Sequence, residues 1–166
     1  MYSLNAAVPG RVRRIAGDLY PQLAGFADVR EDHSICVKRL GDDEPYKTLA
    51  NRARTALADA PAFEVAVTGI DYFAEPTSGT APVVYLTVES PGLEQVHETL
   101  VAEFGALPGL EGEAFTPHVT LARDGDVADA ERIAERKIDP VTWTVSELDF
   151  TDALHDNAIG KIPLGE

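Results

Sequence analysis

Residues 115–123 read FTPHVTLAR, and the alternation inside this stretch predicts how the chain folds around it. Side chains point to opposite faces along a β-strand, so His118 and Thr120 share one face and the apolar Val119 lies on the other. The apolar face is expected to pack on a core. The polar face then offers an imidazole, which exchanges a proton near pH 7, and a hydroxyl, which can donate to a phosphate oxygen. The same pattern also fits a half-exposed strand with an ordinary surface histidine and threonine.

The elements around this strand occur twice along the chain. Each half predicts the order strand–helix–strand–helix–strand, and the second strand of each half opens with a histidine, His33 or His118. The predicted elements of the first half are residues 2–8, 9–23, 33–38, 44–60 and 63–73. Those of the second half are residues 83–88, 90–104, 118–121, 126–137 and 143–150, with an edge strand at 158–164.

This repeat predicts an α+β fold in a single domain over residues 1–166. The first lobe covers about residues 1–74, and the second covers about residues 83–166, after a turn cluster rich in Pro, Gly, Ser and Thr. We expect the two halves to form antiparallel sheets around a central cleft, to which each half brings its histidine-bearing strand.

Composition narrows the function classes. The chain has 166 residues, of which 45% are apolar, as in ordinary globular domains. Its apolar runs are too short for a membrane span and no signal peptide is evident, so we expect a cytoplasmic protein with no membrane partner. Cys36 is the single cysteine, which excludes an internal disulfide and disfavours a cysteine-based metal site. We interpret Cys36 as a small buried apolar residue.

The charge balance is strongly acidic. Lys and Arg number 14 against 28 Asp and Glu, for a formal net charge of −14. An acidic, lysine-poor surface predicts a halophilic source, because high ionic strength screens self-repulsion. It argues against tight binding of long duplex nucleic acid, which requires many phosphates to be neutralised. A small phosphate substrate in a local pocket is compatible with it, and we expect a monomer.

The stretch FxPHVTLxR at residues 115–123 resembles the second histidine motif of the 2H phosphoesterase superfamily, in its 2′-5′ RNA ligase and cyclic phosphodiesterase branch. That family has a duplicated, two-lobed fold in which two His-x-Thr/Ser motifs flank a phosphate. The resemblance implies that His118 and His33 are the catalytic pair and that Thr120 binds the phosphate. Two histidines can supply both base and acid, so we expect no metal and no cofactor. Arg123 is a further candidate for binding a substrate phosphate.

The first motif departs from this pattern, since it reads His33-Ser34-Ile35. Strand alternation would place Ile35 on the side of His33 and Ser34 on the opposite face. A β-bulge beside His33 would bring Ser34 into the cleft as a second phosphate-binding hydroxyl. Without it, one hydrogen bond to a charged group is lost. That bond is worth roughly 1.5–3 kcal/mol, which corresponds to a tens- to hundred-fold loss of activity.

The remaining polar residues are interpreted as structural. Lys38 and Arg39 either bind a substrate phosphate or lie in solvent, and we favour solvent. We expect His97 at a surface or in helix packing, and His155 in a turn with Asp156. The acidic clusters at residues 42–44 and 124–126 read as solvated turns and helix caps. The sequence contains no Walker loop, dinucleotide-binding glycine motif or HExxH pattern.

Two functions stay open at this stage. The first is a metal-independent phosphoesterase for 2′,3′-cyclic phosphates or 2′-5′-linked RNA ends, in which one histidine is the general base and the other the general acid. The direction of the reaction, hydrolysis or ligation, and the assignment of base and acid stay undetermined. The alternative is a non-catalytic RNA-end or nucleotide-binding module, which Ile35 favours. A structural protein with histidines on its strands is a third, plainer option.

Overall fold

A computed structural model describes residues 1–153 and 157–165. The strands are β1 (Tyr2–Ala7), β2 (Asp28–Val29), β3 (Ser34–Gly41), β4 (Phe63–Phe73), β5 (Val83–Glu89), β6 (His118–Arg123), β7 (Val141–Val145), β8 (Glu147–Asp152) and β9 (Asn157–Pro163). The helices are α1 (Gly10–Leu23), α2 (Tyr46–Ala56), α3 (Pro91–Phe104) and α4 (Val127–Ala134), with a short 3₁₀ helix at Gly112–Ala114. The turn predicted at His155 and Asp156 lies outside the described residues.

The strands form one antiparallel sheet with the order β7-β4-β5-β6-β3-β1-β8-β9, and the short β2 pairs with β6. The repeated strand–helix–strand–helix–strand order is present, so the predicted α+β fold is confirmed. The two chain halves exchange strands within this sheet. Strand β4 of the first half pairs with β5 and β7 of the second half, while β8 pairs with β1.

The prediction of a single strand over residues 143–150 is wrong. The chain leaves β7 at Val145, passes through Ser146 alone, and enters β8 at Glu147. Strand β7 pairs with β4, whereas β8 pairs with β1, so one residue joins positions far apart in the strand order. The sheet must therefore curl into a half-barrel. The Ser146 carbonyl accepts a hydrogen bond from the Leu164 amide (2.9 Å) at this junction.

Helices cover one face of the curled sheet. Helix α1 contacts β6, α3 contacts β3 and β4, and α4 contacts β4 and β5. The strand residues that face these helices are apolar and fully buried; they include Ile35, Val37, Leu86, Val119 and Leu121. Burial of such side chains supplies the main favourable term in folding. The opposite face of β3 and β6 carries polar side chains, among them Arg39, His118 and Thr120.

Helix termini follow their sequence signals with small differences. Ser90 caps α3 as predicted: its hydroxyl accepts from the Leu93 amide (3.1 Å), and Pro91 is the first helical residue. Helix α2 begins after Pro45 and is shorter than the predicted 44–60, and α1 continues through Pro21 to Leu23. Within the described part of the chain, no helix is long and apolar enough to cross a membrane.

Candidate active site

A cleft of about 220 Å³ opens on the sheet face opposite the helices. Strand β6 supplies His118, Thr120 and Arg123 to its lining, and β3 supplies Cys36 and Arg39. Two loops, residues 74–82 and residues 105–117, form its rim. They meet where the Thr77 hydroxyl donates to the Gly109 carbonyl (2.9 Å).

The pairing of β3 with β6 decides which side chains face the cleft. Ile35 is paired with Val119, and both are fully buried on the helix side. Because side chains alternate, His118 and Thr120 on β6 point to the other face, as do Ser34 and Cys36 on β3. His118, Thr120 and Cys36 line the cleft, and Ser34 is exposed on the same face.

The predicted partner histidine lies elsewhere. His33 precedes the first residue of β3, and it is not among the described residues that line the cleft. Burial lowers the pKa of His33, Asp32 raises it, and Arg13 of α1 lowers it. Arg13 itself donates to the Val8 carbonyl (2.7 Å), just before α1 begins. The Nδ1 atom of His33 is buried and has no hydrogen-bond partner within the described residues.

The β-bulge that would have turned Ser34 toward the cleft is not found beside His33. The pairing of β1 with β3 is regular from Ala7–Ser34 through Ala6–Ile35 to Asn5–Cys36. The structure therefore brings His118, Thr120 and Arg123 together and leaves His33 and Ser34 outside the lining. The catalytic role of His33 stays a prediction.

Strand pairing also shows which residues stand at the first-motif positions. With Ile35 opposite Val119, the segment Ser34-Ile35-Cys36 is the counterpart of His118-Val119-Thr120. By this pairing Ser34 corresponds to His118, and Cys36 corresponds to Thr120. Sequence reasoning anchored on the histidine missed this one-residue shift. The apolar pair Ile35 and Val37, which matches Val119 and Leu121, was the signal that could have found it.

His118 is held in one orientation. Its Nδ1 lies 2.7 Å from the Thr116 carbonyl oxygen, which can only accept, so Nδ1 carries the proton and Nε2 is the proton acceptor. The rings of Phe73 and Tyr85 meet it at centroid distances of 5.4 and 5.2 Å. The pKa of His118 is lowered, mainly because the ring is buried and also because Arg39 and Arg123 lie nearby. The hydrogen bond to Thr116 raises the pKa but does not offset these effects. A neutral imidazole at pH 7 is suited to accept a proton.

Three guanidinium groups converge on the cleft of this acidic protein: Arg30, Arg39 and Arg123. Arg123 Nη2 donates to the Ser78 carbonyl (2.8 Å), while its buried Nε has no partner within the described residues. Burial lowers the pKa of Arg123, and the nearby Arg30 lowers it further. Gly79 (φ +81°) borders this side chain closely, and any Cβ there would collide with the guanidinium. The cleft therefore presents several guanidinium donors of the kind that bind carboxylates and phosphates.

Two cations differ from their predicted positions. Arg39 is half-buried and lines the cleft instead of lying on the open surface. Lys38 is 2% exposed and pairs with Glu111. The sequence did not show this pair, because Glu111 lies far along the chain and only the fold brings the two residues together. Burial raises the pKa of the Cys36 thiol, which therefore stays protonated in the cleft. No cluster suited to a metal ion occurs among residues 1–153 and 157–165.

The depressed pKa of His118 has a consequence for folding stability. As the pH falls below about 6.5, the unfolded imidazole binds a proton before the folded one, so the free energy of unfolding falls with pH until folded His118 also titrates. Denaturant unfolding of the native protein and of His118→Gln between pH 5 and 7.5 measures this contribution. We expect the native protein to lose more stability than the variant on acidification. An NMR titration midpoint of His118 at or above 6.5 would contradict the assignment.

Known proteins share the sequence pattern and the fold of this chain. The family model of the 2′-5′ RNA ligase superfamily matches residues 28–157. Among solved structures, TT0787 of Thermus thermophilus is 20% identical and has a TM-score of 0.68, with 99% of this chain and 98% of that chain covered. Escherichia coli LigT in complex with 3′-AMP is 16% identical, with a TM-score of 0.67 and the same coverage. A structure described as a phosphoesterase is 19% identical, with a TM-score of 0.65 and again the same coverage. No protein with a curated description matches the sequence significantly.

Proposed function

Because the chain belongs to the 2′-5′ RNA ligase superfamily, we propose that it is a phosphoesterase acting on 2′,3′-cyclic phosphates or 2′-5′-linked RNA ends. This proposal rests on the side chains that line the cleft. His118, Thr120 and Arg123, three residues of one strand, line the same cleft. His118 is assigned proton transfer, and Thr120 and Arg123 are assigned to the phosphate.

The proposed hydrolysis begins with water in the cleft. Nε2 of His118 accepts a proton from this water as its oxygen attacks phosphorus, and the bond from phosphorus to one ribose oxygen then breaks. The departing oxygen takes a proton, either from the imidazolium or from solvent, which leaves a phosphate monoester. The Thr120 hydroxyl and the Arg123 guanidinium donate to the phosphoryl oxygens as negative charge develops there. By microscopic reversibility, the same groups can join a cyclic phosphate end to a hydroxyl.

Among the residues that the structure describes, one imidazole, that of His118, lines the cleft, whereas two were predicted. Proton transfer by a positioned side chain contributes about 10²–10⁴-fold to a rate, so a site with a single histidine is expected to be slow. Cys36 does not replace the missing group, because burial raises the pKa of its thiol. The scheme requires no cofactor.

The residues of β3 that correspond to the β6 motif favour a second candidate function. Ser34 and Cys36 stand where the family motif has a histidine and a hydroxyl residue, so the cleft is suited to bind a nucleotide or RNA end without turning it over. LigT has been crystallised with 3′-AMP, which makes this nucleotide a suitable binding probe.

Incubation with 2′,3′-cyclic AMP, followed by ³¹P NMR, separates the two functions. The net charge of −14 makes it necessary to test both low and molar salt. We expect slow conversion to a phosphate monoester. Calorimetric binding of 3′-AMP with no turnover would support the binding module instead. Absence of both binding and turnover would contradict both functions.

A further inference from the structure

A buried ion pair ties the cleft rim to strand β3. The side chains of Lys38 and Glu111 are 2% and 1% exposed, and Lys38 Nζ lies 2.6 Å from Glu111 Oε1. The Glu111 carboxylate also accepts from the Arg39 amide (2.9 Å) and the Leu107 amide (3.0 Å). Burial alone would raise the pKa of Glu111, but Lys38 and these two amides outweigh it and lower the pKa. Glu111 is thus a charged group bonded both to β3 and to the rim loop.

A second anchor lies beside the first. His97 of α3 is buried, and its Nδ1 is 2.7 Å from the Val37 carbonyl, while its Nε2 accepts from the Gly112 amide (3.0 Å). Nδ1 therefore donates to the Val37 carbonyl, and Nε2 is the acceptor on this ring. Phe115 stacks on this ring at a centroid distance of 3.7 Å. Residues 37–39 of β3 thus hold residues 111–115 of the rim loop from one side.

The anchored segment leads directly to the proton-transfer group. After the 3₁₀ helix Gly112–Ala114 the chain passes through Phe115 and Thr116, both of which line the cleft. The Thr116 carbonyl then accepts the Nδ1–H of His118. A displacement of residues 111–116 would move this carbonyl and release the imidazole to rotate or change tautomer.

Resting on the proposed function, we propose that Glu111 is a positioning residue, which fixes the rim loop on β3 so that the Thr116 carbonyl holds Nε2 of His118 toward the substrate phosphate. Stability alone gives little reason for a buried ion pair at this place. Apolar residues of similar volume often serve a fold as well or better. A fixed loop geometry, in contrast, needs the three directional bonds that the carboxylate accepts.

The test replaces the pair by apolar residues, Lys38→Met with Glu111→Leu, which removes both charges and the acceptors for two amides. The matched control is Lys161→Met with Glu147→Leu, at an exposed pair (2.8 Å) between β8 and β9. Two readouts are taken: the imidazole ¹⁵N shifts of His118, and the Kd for 3′-AMP. A purely structural role would lower the unfolding midpoint without changing the tautomer of His118.

We expect the Lys38/Glu111 variant to remain folded, to show His118 as a mixture of tautomers, and to bind 3′-AMP about tenfold more weakly. The control should match the native protein. A folded variant with native ¹⁵N shifts would overturn the proposal. If the double variant does not fold, Glu111→Gln, which keeps the shape and one acceptor, is expected to shift the same signals part of the way, and native signals in it would overturn the proposal too.

The ¹⁵N readout needs no ligand, so it judges the positioning role separately from the proposed function. A native protein that neither binds 3′-AMP nor turns over 2′,3′-cyclic AMP would contradict the function. The tautomer of His118 in the two variants would still decide whether Glu111 positions it.

Discussion

His118→Ala is expected to lower the rate of 2′,3′-cyclic AMP hydrolysis by about 10²–10⁴-fold, the usual contribution of a positioned acid–base group. The reason lies in the cleft. His118 lines the cleft, its neutral ring offers a proton acceptor at pH 7, and its Nδ1–H donates to the Thr116 carbonyl. Thr120 and Arg123 keep their places in the variant, so the substrate should still bind and the loss should fall on kcat.

The measurement is a steady-state comparison of kcat and KM by ³¹P NMR or chromatography. His33→Ala is the matched control, because the same change is made at a histidine outside the cleft lining. From its position we expect His33→Ala to keep its rate within about threefold, well inside the effect of one acid–base group. Equal losses in both variants would favour the two-histidine arrangement predicted from the sequence over the single-histidine cleft.

Rebuilding the first motif is expected to raise the rate by about 10²–10⁴-fold. Ser34→His with Cys36→Thr places a second imidazole and a second hydroxyl on the β3 face shared with the cleft. Since Ile35 is opposite Val119, the new imidazole would stand across from Thr120 and the new hydroxyl across from His118. One imidazole could then accept a proton while the other donates one to the departing ribose oxygen.

The gain must depend on both imidazoles if this register is correct. Adding His118→Ala to the Ser34→His/Cys36→Thr variant should remove the gain. Thr144→His, which adds a histidine on the exposed face of β7, should leave the native rate unchanged. If the rebuilt variant is folded, binds 3′-AMP and yet stays at the native rate, Ser34 and Cys36 are not the first-motif positions.

Much of the fold could be predicted from local patterns. The alternation in residues 63–73 and the Ser90-Pro91 start of α3 depend on neighbours in the chain, and the structure has both. The same holds for β6, where the buried Val119 fixes the face on which His118 and Thr120 lie. In each case the signal and the structure that it predicts lie within a few residues.

The features that were missed depend on long-range partners. The buried positions of β3 decide which of its side chains face the cleft. His33 lies one residue before β3, and nothing in the neighbouring sequence shows that it is outside the strand. The burial of Lys38 depends on Glu111, which lies far along the chain. The break at Ser146 depends on the exchange of pairing from β4 to β1.

The unbroken sheet restricts how this protein can respond to a ligand. Strands on both sides of the cleft belong to one hydrogen-bonded ladder, and Ser146 joins its distant parts. A hinge at the cleft would have to break the Ile35–Val119 pair of β3 with β6 and the two pairs of β2 with β6, so bound and free forms should share one backbone there. Induced fit is then left to the two rim loops, and the rate of ligand exchange should be set by how often the Thr77–Gly109 contact opens.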